Sequence, residues 1–176
     1  MQQPREEHWH VALHVVRYLK GTPGQGIVLR SNCDMRLYWW HDSNWASYAL
    51  TGRSLTGWFV LLGDSPISWK TKKQLTVSRS SAKVEYRATA TTTCQLKWLK
   101  SLLSSLSVAH PVPVSLYCDS QAALHLAKDP VFHEHTKHIE VDCHFVRDEI
   151  SRGNIRFAHV STHAQLADIL TKALGT

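Results

Sequence analysis

The strongest constraint on the fold is a change of hydrophobic period near residue 80. Before it, apolar residues come in short extended runs: Leu37 to His41, with Tyr38, Trp39 and Trp40 favouring strand, then Leu55 to Leu62 and Ile67 to Lys70. Gly63-Asp64-Ser65-Pro66 separates the last two, so the region reads as an antiparallel meander. After it, Ser80 to Leu106 lacks Gly and Pro and carries Val84, Ala88, Leu96, Leu99, Leu103 and Leu106 at helical spacing. Thr91, Thr92 and Thr93 weaken its middle, so a pair of broken helices is also open.

Strands and helices then alternate. Val114 to Cys118 reads as a strand, Ser120 to Lys128 and Thr136 to Arg152 as helices, Ile155 to Val160 as a strand, and Ala164 to Ala173 as a last helix. Glu7 to Lys20 is a helix stopped by Gly21-Thr22-Pro23-Gly24, and Gly26 to Leu29 reads as a further short extended run. This order predicts a mixed α/β domain with helices packed on a sheet.

Composition narrows the class. The 176 residues are 43% hydrophobic, enough for one domain with a core. The start has no apolar run of the kind a signal peptide needs, and no stretch is long enough to span a bilayer, so no membrane partner is expected. The four cysteines form no C-x-x-C pair and are read as free buried thiols. A formal charge of +6 suits a polyanionic partner such as nucleic acid. Lys70, Lys72 and Lys73 beside Trp69 are candidates for phosphate contact and base stacking.

The chemistry rests on carboxylates. Asp42 and Asp119 each end an apolar strand, where functional groups gather in open sheets. Glu85 sits on the long helix, and Asp168 follows the last strand. Carboxylates that meet repel one another unless a cation neutralises them, and oxygen-only ligands select a hard cation such as Mg²⁺. Two such ions about 3.5–4 Å apart suit phosphodiester cleavage. Other chemistries are weaker. His133, His135, His138, Cys143 and His144 lack paired zinc spacing, and a helix through Thr136 to Arg152 would put His138 and Cys143 on different faces. Gly52 to Gly57 is one residue too long for a nucleophile elbow.

The sequence resembles the ribonuclease H domain of copia-type LTR retrotransposon Pol polyproteins, in particular those of plants. The likeness is carried by Trp40-His41-Asp42-Ser43-Asn44-Trp45-Ala46, by Arg53-Ser54-Leu55-Thr56-Gly57-Trp58-Phe59-Val60, and by Pro66 to Gln74. It continues through Ser80 to Tyr86, Tyr117-Cys118-Asp119-Ser120-Gln121, Pro130 to Glu140, and Gln165 to Lys172. The resemblance implies a ribonuclease H-like fold, with a mixed five-stranded sheet of antiparallel meander plus parallel strands flanked by helices. It implies an endonuclease cutting the RNA strand of RNA–DNA hybrids during reverse transcription. Asp42, Glu85, Asp119 and Asp168 would bind two Mg²⁺ ions, with Mn²⁺ as a substitute. His163 would assist product release. Ser120, Gln121 and Ser80 would read the RNA strand through its 2′-hydroxyls, while Trp69, Lys70, Lys72 and Lys73 hold the substrate.

The same likeness divides the chain into residues 1–25, a helix and linker from the end of the reverse transcriptase region, and a ribonuclease H domain over 26–176. It implies the reverse transcriptase domain as a partner and a cytoplasmic retrotransposon particle as the setting. Three positions depart from the pattern: Asn44 where a second aspartate is common, Lys83 where a glutamate often stands, and His135 in place of arginine. The alternative is a ribonuclease H-like connection module that binds nucleic acid without cutting it, a class that usually loses the carboxylates this chain keeps.

Overall fold

The computed structural model describes residues 3–121, 124–125 and 137–172, with side chains of the last stretch from 139 onward. Helix α1 spans Glu6–Gly21; strands β1 (Leu37–Tyr48), β2 (Arg53–Leu62) and β3 (Ser65–Lys73) follow. Then come α2 (Ser81–Ser105), β4 (Val114–Cys118), α3 (Lys137–Ser151) and β5 (Ile155–His159), with 3₁₀ turns at Thr162–Ala164 and Asp168–Leu170. The sheet order is β3-β2-β1-β4-β5. β1 pairs antiparallel with β2 and parallel with β4; β2 pairs antiparallel with β3, and β4 parallel with β5.

Alternation sets the two faces of this sheet. Leu37, Trp39, His41, Trp58 and Val60 point to the face that α2 and α3 cover and are buried there, together with Val84, Leu96, Leu116, Val146 and Ile155. On the other face Trp40 stacks on Tyr117, with ring centroids 4.9 Å apart. The C-terminal turns lie on that second face, across β2. A Cβ on Gly57 would meet Thr171 Cγ2 at 2.7 Å and Leu170 Cβ at 3.0 Å, so the chain can pass there only over a glycine.

One open alternative is settled, and some expectations change. The long helix is unbroken through its threonines, because Thr92 and Thr93 are buried against the core and packing overrides propensity. Gly26 to Leu29 forms no strand; Ile27, Val28 and Leu29 are exposed beside no partner strand. Residues 164 to 172 form short 3₁₀ turns rather than a helix, since Thr71 and Asn44 donate to the carbonyls of Leu170 and Thr171. Helix α1 exists as expected but buries no residue. The helix expected over residues 120 to 128 falls mostly outside the described residues, although Leu124 N–H reaches the Ser120 carbonyl at 3.4 Å. His133 and His135 also lie outside them. Among the described residues no helix is long and apolar enough to cross a membrane. Cys118 and Cys143 are buried, as expected of all four, but Cys33 is only half-buried, and Cys94 is exposed at the groove it lines with Val141, Asp142 and Phe145.

Candidate metal centre

The carboxylates gather at the C-terminal end of the parallel pair β1 and β4. Asp42 shares its sheet face with Gly57, and Asp119 directly follows β4. The Asp168 turn crosses the same face. Each of Asp42, Asp119 and Asp168 offers an oxygen, and these atoms all lie within 4.8 Å of one another. Glu85 approaches from the helix side. Ser43, pointing opposite to Asp42, donates its hydroxyl to Glu85 Oε1 at 2.5 Å. The four groups therefore straddle the end of the sheet, three on one face and Glu85 on the other.

Their electrostatics record the crowding. Burial pushes the Asp42 carboxyl up to about 6; the Thr171 hydroxyl opposes this, and Asp119 and Asp168 add to it. Burial lifts Glu85 to about 7, against the Ser43 hydrogen bond and with the help of Asp42 and Asp119. In both, burial disfavours the charged form, and a bound cation would reverse that. The donor set contains only oxygen, and Asp168 Oδ1 is buried without a hydrogen-bond partner. Both observations fit a hard divalent cation.

The other predicted residues divide. Ser80 is the N-cap of α2, its hydroxyl accepting from Lys83 N–H at 3.4 Å, which gives it a structural duty of its own. Ser120 and Gln121 follow Asp119 directly, and Gln121 is exposed. His163 is exposed on the first 3₁₀ turn. Trp69, Lys70, Lys72 and Lys73 are all exposed on the edge strand β3, but they do not form one patch. Pairing of Trp58 with Lys70 and Thr56 with Lys72 turns those two lysines to the helix side; Trp69 and Lys73, opposite Phe59 and Leu55, face the carboxylate trio's side. Lys73 also sits over the Tyr48 ring, 4.0 Å from its centroid.

Sequence reasoning missed the residues that hold the carboxylates. Thr171 donates to Asp42, and Lys172 forms an ion pair with Asp168. Thr162 Oγ1 donates to Asp119 Oδ2 at 3.2 Å, and Gln165 Nε2 donates to the His41 carbonyl at 3.0 Å. Gln165, Thr171 and Lys172 stand in the motif around Asp168, which was the available signal. His41 itself is fully buried, and burial lowers its pKa to about 4, so it packs as a neutral ring.

No protein-family model matches the chain. It is 44% identical over 175 residues to the retrovirus-related Pol polyprotein from transposon RE2 of Arabidopsis thaliana, an alignment covering 99% of this chain and 12% of that protein. It is 33% identical over 174 residues to the corresponding polyprotein from transposon TNT 1-94 of Nicotiana tabacum, covering 99% of this chain and 13% of the relative. The chain thus spans about an eighth of the length of these relatives. Among solved structures it is similar to LC11-RNase H1 from compost, with a TM-score of 0.57 at 14% identity over 78% of this chain and 93% of that one. The same enzyme in complex with RNA/DNA hybrid gives 0.53 at 13% identity, over 77% and 94% of the two chains. The foamy viral protease-reverse transcriptase in complex with RNA/DNA hybrid gives 0.50 at 12% identity, over 99% of this chain and 21% of that chain. By sequence the chain belongs with the retrovirus-related Pol polyproteins of plant transposons, as one segment of them, and its fold is that of ribonuclease H.

Proposed function

We propose that the chain is a divalent-cation-dependent endonuclease that hydrolyses the RNA strand of RNA–DNA hybrids, acting in reverse transcription of a copia-type retrotransposon. The observation that carries this reading is the meeting of Asp42, Asp119 and Asp168 oxygens within 4.8 Å, with Glu85 held by Ser43, the residue next to Asp42. These four residues would hold two Mg²⁺ ions, or Mn²⁺ in their place. When bound, the ions supply the charge that activates a water and stabilises the leaving 3′-oxygen.

The chain's own residues supply position. Thr171 and Thr162 fix the Asp42 and Asp119 carboxylates by hydrogen bonds, and Ser43 fixes Glu85. Fixed ligands shorten the search for productive geometry. Ser120 and Gln121, adjoining Asp119, would read a 2′-hydroxyl, and Trp69 with Lys73, on the carboxylate trio's side of the sheet, would hold a phosphate strand. Lys70 and Lys72 would meet a strand only around the sheet edge. His163, in the turn that Thr162 ties to Asp119, would assist product release. Two solved structures with this fold carry RNA/DNA hybrid, which supports the substrate class. The reverse transcriptase region of the same polyprotein is the proposed partner, residues 1–25 the segment joining it to a domain over 26–176, and a cytoplasmic particle the setting.

Cleavage of an end-labelled hybrid with Mg²⁺, Mn²⁺ or chelator tests this. The wild-type chain should cut the RNA strand only with metal. Asp119→Asn should fold and bind hybrid but leave it whole. Binding without cutting by the wild-type chain at any metal concentration would instead identify a non-catalytic module.

A further inference from the structure

The turn that carries Asp168 also carries a cation. Lys172 N–H closes onto the Asp168 carbonyl at 2.9 Å, and this folds the Lys172 side chain back until its ammonium donates to Asp168 Oδ2. Between them, Thr171 donates to Asp42. One short segment therefore sets a neutral donor on one member of the trio and a positive charge on another. The Lys172 side chain is 52% exposed and that of Asp168 only 22%, so the ammonium reaches inward from solvent on a flexible stem.

We propose that Lys172 is a tethered counter-cation of the carboxylate trio, competing with the divalent ion for Asp168 and swinging aside when that ion binds. This rests on the metal-binding reading above. A divalent ion coordinated to Asp168 Oδ2 would sit in contact range of the ammonium, and the two repel strongly in a partly buried site. Both cannot hold that oxygen. The tether keeps the ammonium at a high effective concentration whatever the bulk salt. Asp168 Oδ1, buried and without a partner, is not engaged by Lys172. The lysine therefore weakens ion binding without blocking it, and it neutralises part of the cluster while no ion is bound. It is a positioning residue, outside the reacting atoms.

The test is calorimetric titration of the whole chain with MnCl₂, alongside thermal melts in chelator. Lys172→Gln should bind Mn²⁺ more tightly, on the order of tenfold, because its competitor is gone. Its melting temperature should fall below wild type in chelator and recover once Mn²⁺ is added. Lys172→Arg, which keeps the charge, should match wild type in both, and Lys20→Gln, at the end of α1, which buries no residue, should change neither. Should Lys172→Gln melt too low to titrate, Lys172→Met retains the stem and carries the same expectation. Equal or weaker Mn²⁺ binding by the neutral variants overturns the competition while leaving the metal site standing. Absence of binding by wild type and variants alike overturns both readings.

Discussion

At the scale of single residues, Asn44 changes meaning once its neighbours are known. By sequence it is a missing carboxylate close to the proposed metal ligands. In the fold its Nδ2 donates to the Thr171 carbonyl at 3.0 Å, and the Thr171 hydroxyl in turn donates to Asp42. Asparagine is thus the clasp that holds the C-terminal segment over β1. An aspartate has no N–H to offer and would set a negative oxygen against that carbonyl. Asn44→Asp should therefore lower stability by about 1–2 kcal/mol, the loss of one partly buried hydrogen bond. It should also slow hybrid cleavage rather than improve it. Denaturant melts and cleavage rates check both; a variant that is as stable as wild type and cuts faster would show that position 44 wants a carboxylate.

At the scale of elements, α2, α3 and β5 are locked by one buried acid. Glu149 near the end of α3 has no exposed surface, yet it accepts from Lys97 of α2 at 2.7 Å, from Asn154 before β5 at 2.8 Å and from Arg152 at 3.1 Å. Burial alone would raise its carboxyl pKa; Lys97, Asn154 and Arg152 outweigh burial and hold it below the usual glutamate value. Its charge is therefore native-like, and its removal leaves three donors facing an uncharged or empty space. Glu149→Ala should cost about 3 kcal/mol, in line with breaking a buried ion pair from one side. A loss under about 1 kcal/mol in urea unfolding would show that solvent replaces the contacts, as it does for surface pairs. The same element scale explains the unbroken α2. Thr89 bonds back to the Glu85 carbonyl at 2.8 Å, and Thr92 and Thr93 are packed inward, so tertiary burial carries the β-branched run that propensity disfavours.

At the scale of the whole molecule, α1 stands apart. It exposes Trp9, Val11, Val15, Val16, Tyr18 and Leu19, each more than half accessible, and buries nothing. A helix that makes no buried contact adds little to the stability of the sheet domain. Deletion of residues 1–25 should therefore shift the melting temperature by no more than about 2–4 °C, the effect of roughly 1 kcal/mol in a domain of this size. A collapse of the cooperative transition would show that the helix belongs to the domain. What the sequence determined alone was everything written in local periods and chain order: the meander, the long helix, the strand that runs into Asp119, and the family motif that includes Asp168; β1 continues past Asp42 to Tyr48, because residues 42–44 go on pairing with β2. Those signals are short-range, because strand alternation and helical spacing repeat within a few residues. The tertiary structure decided the remainder. It split Trp69 and the lysines between two faces, turned the last predicted helix into a pinned loop, and set Asn44, Thr171 and Lys172 against the carboxylates. Partners such as Asn44 and Thr171 are 127 residues apart in the chain. No local pattern records a contact at that separation; only closure of the sheet brings the two ends together.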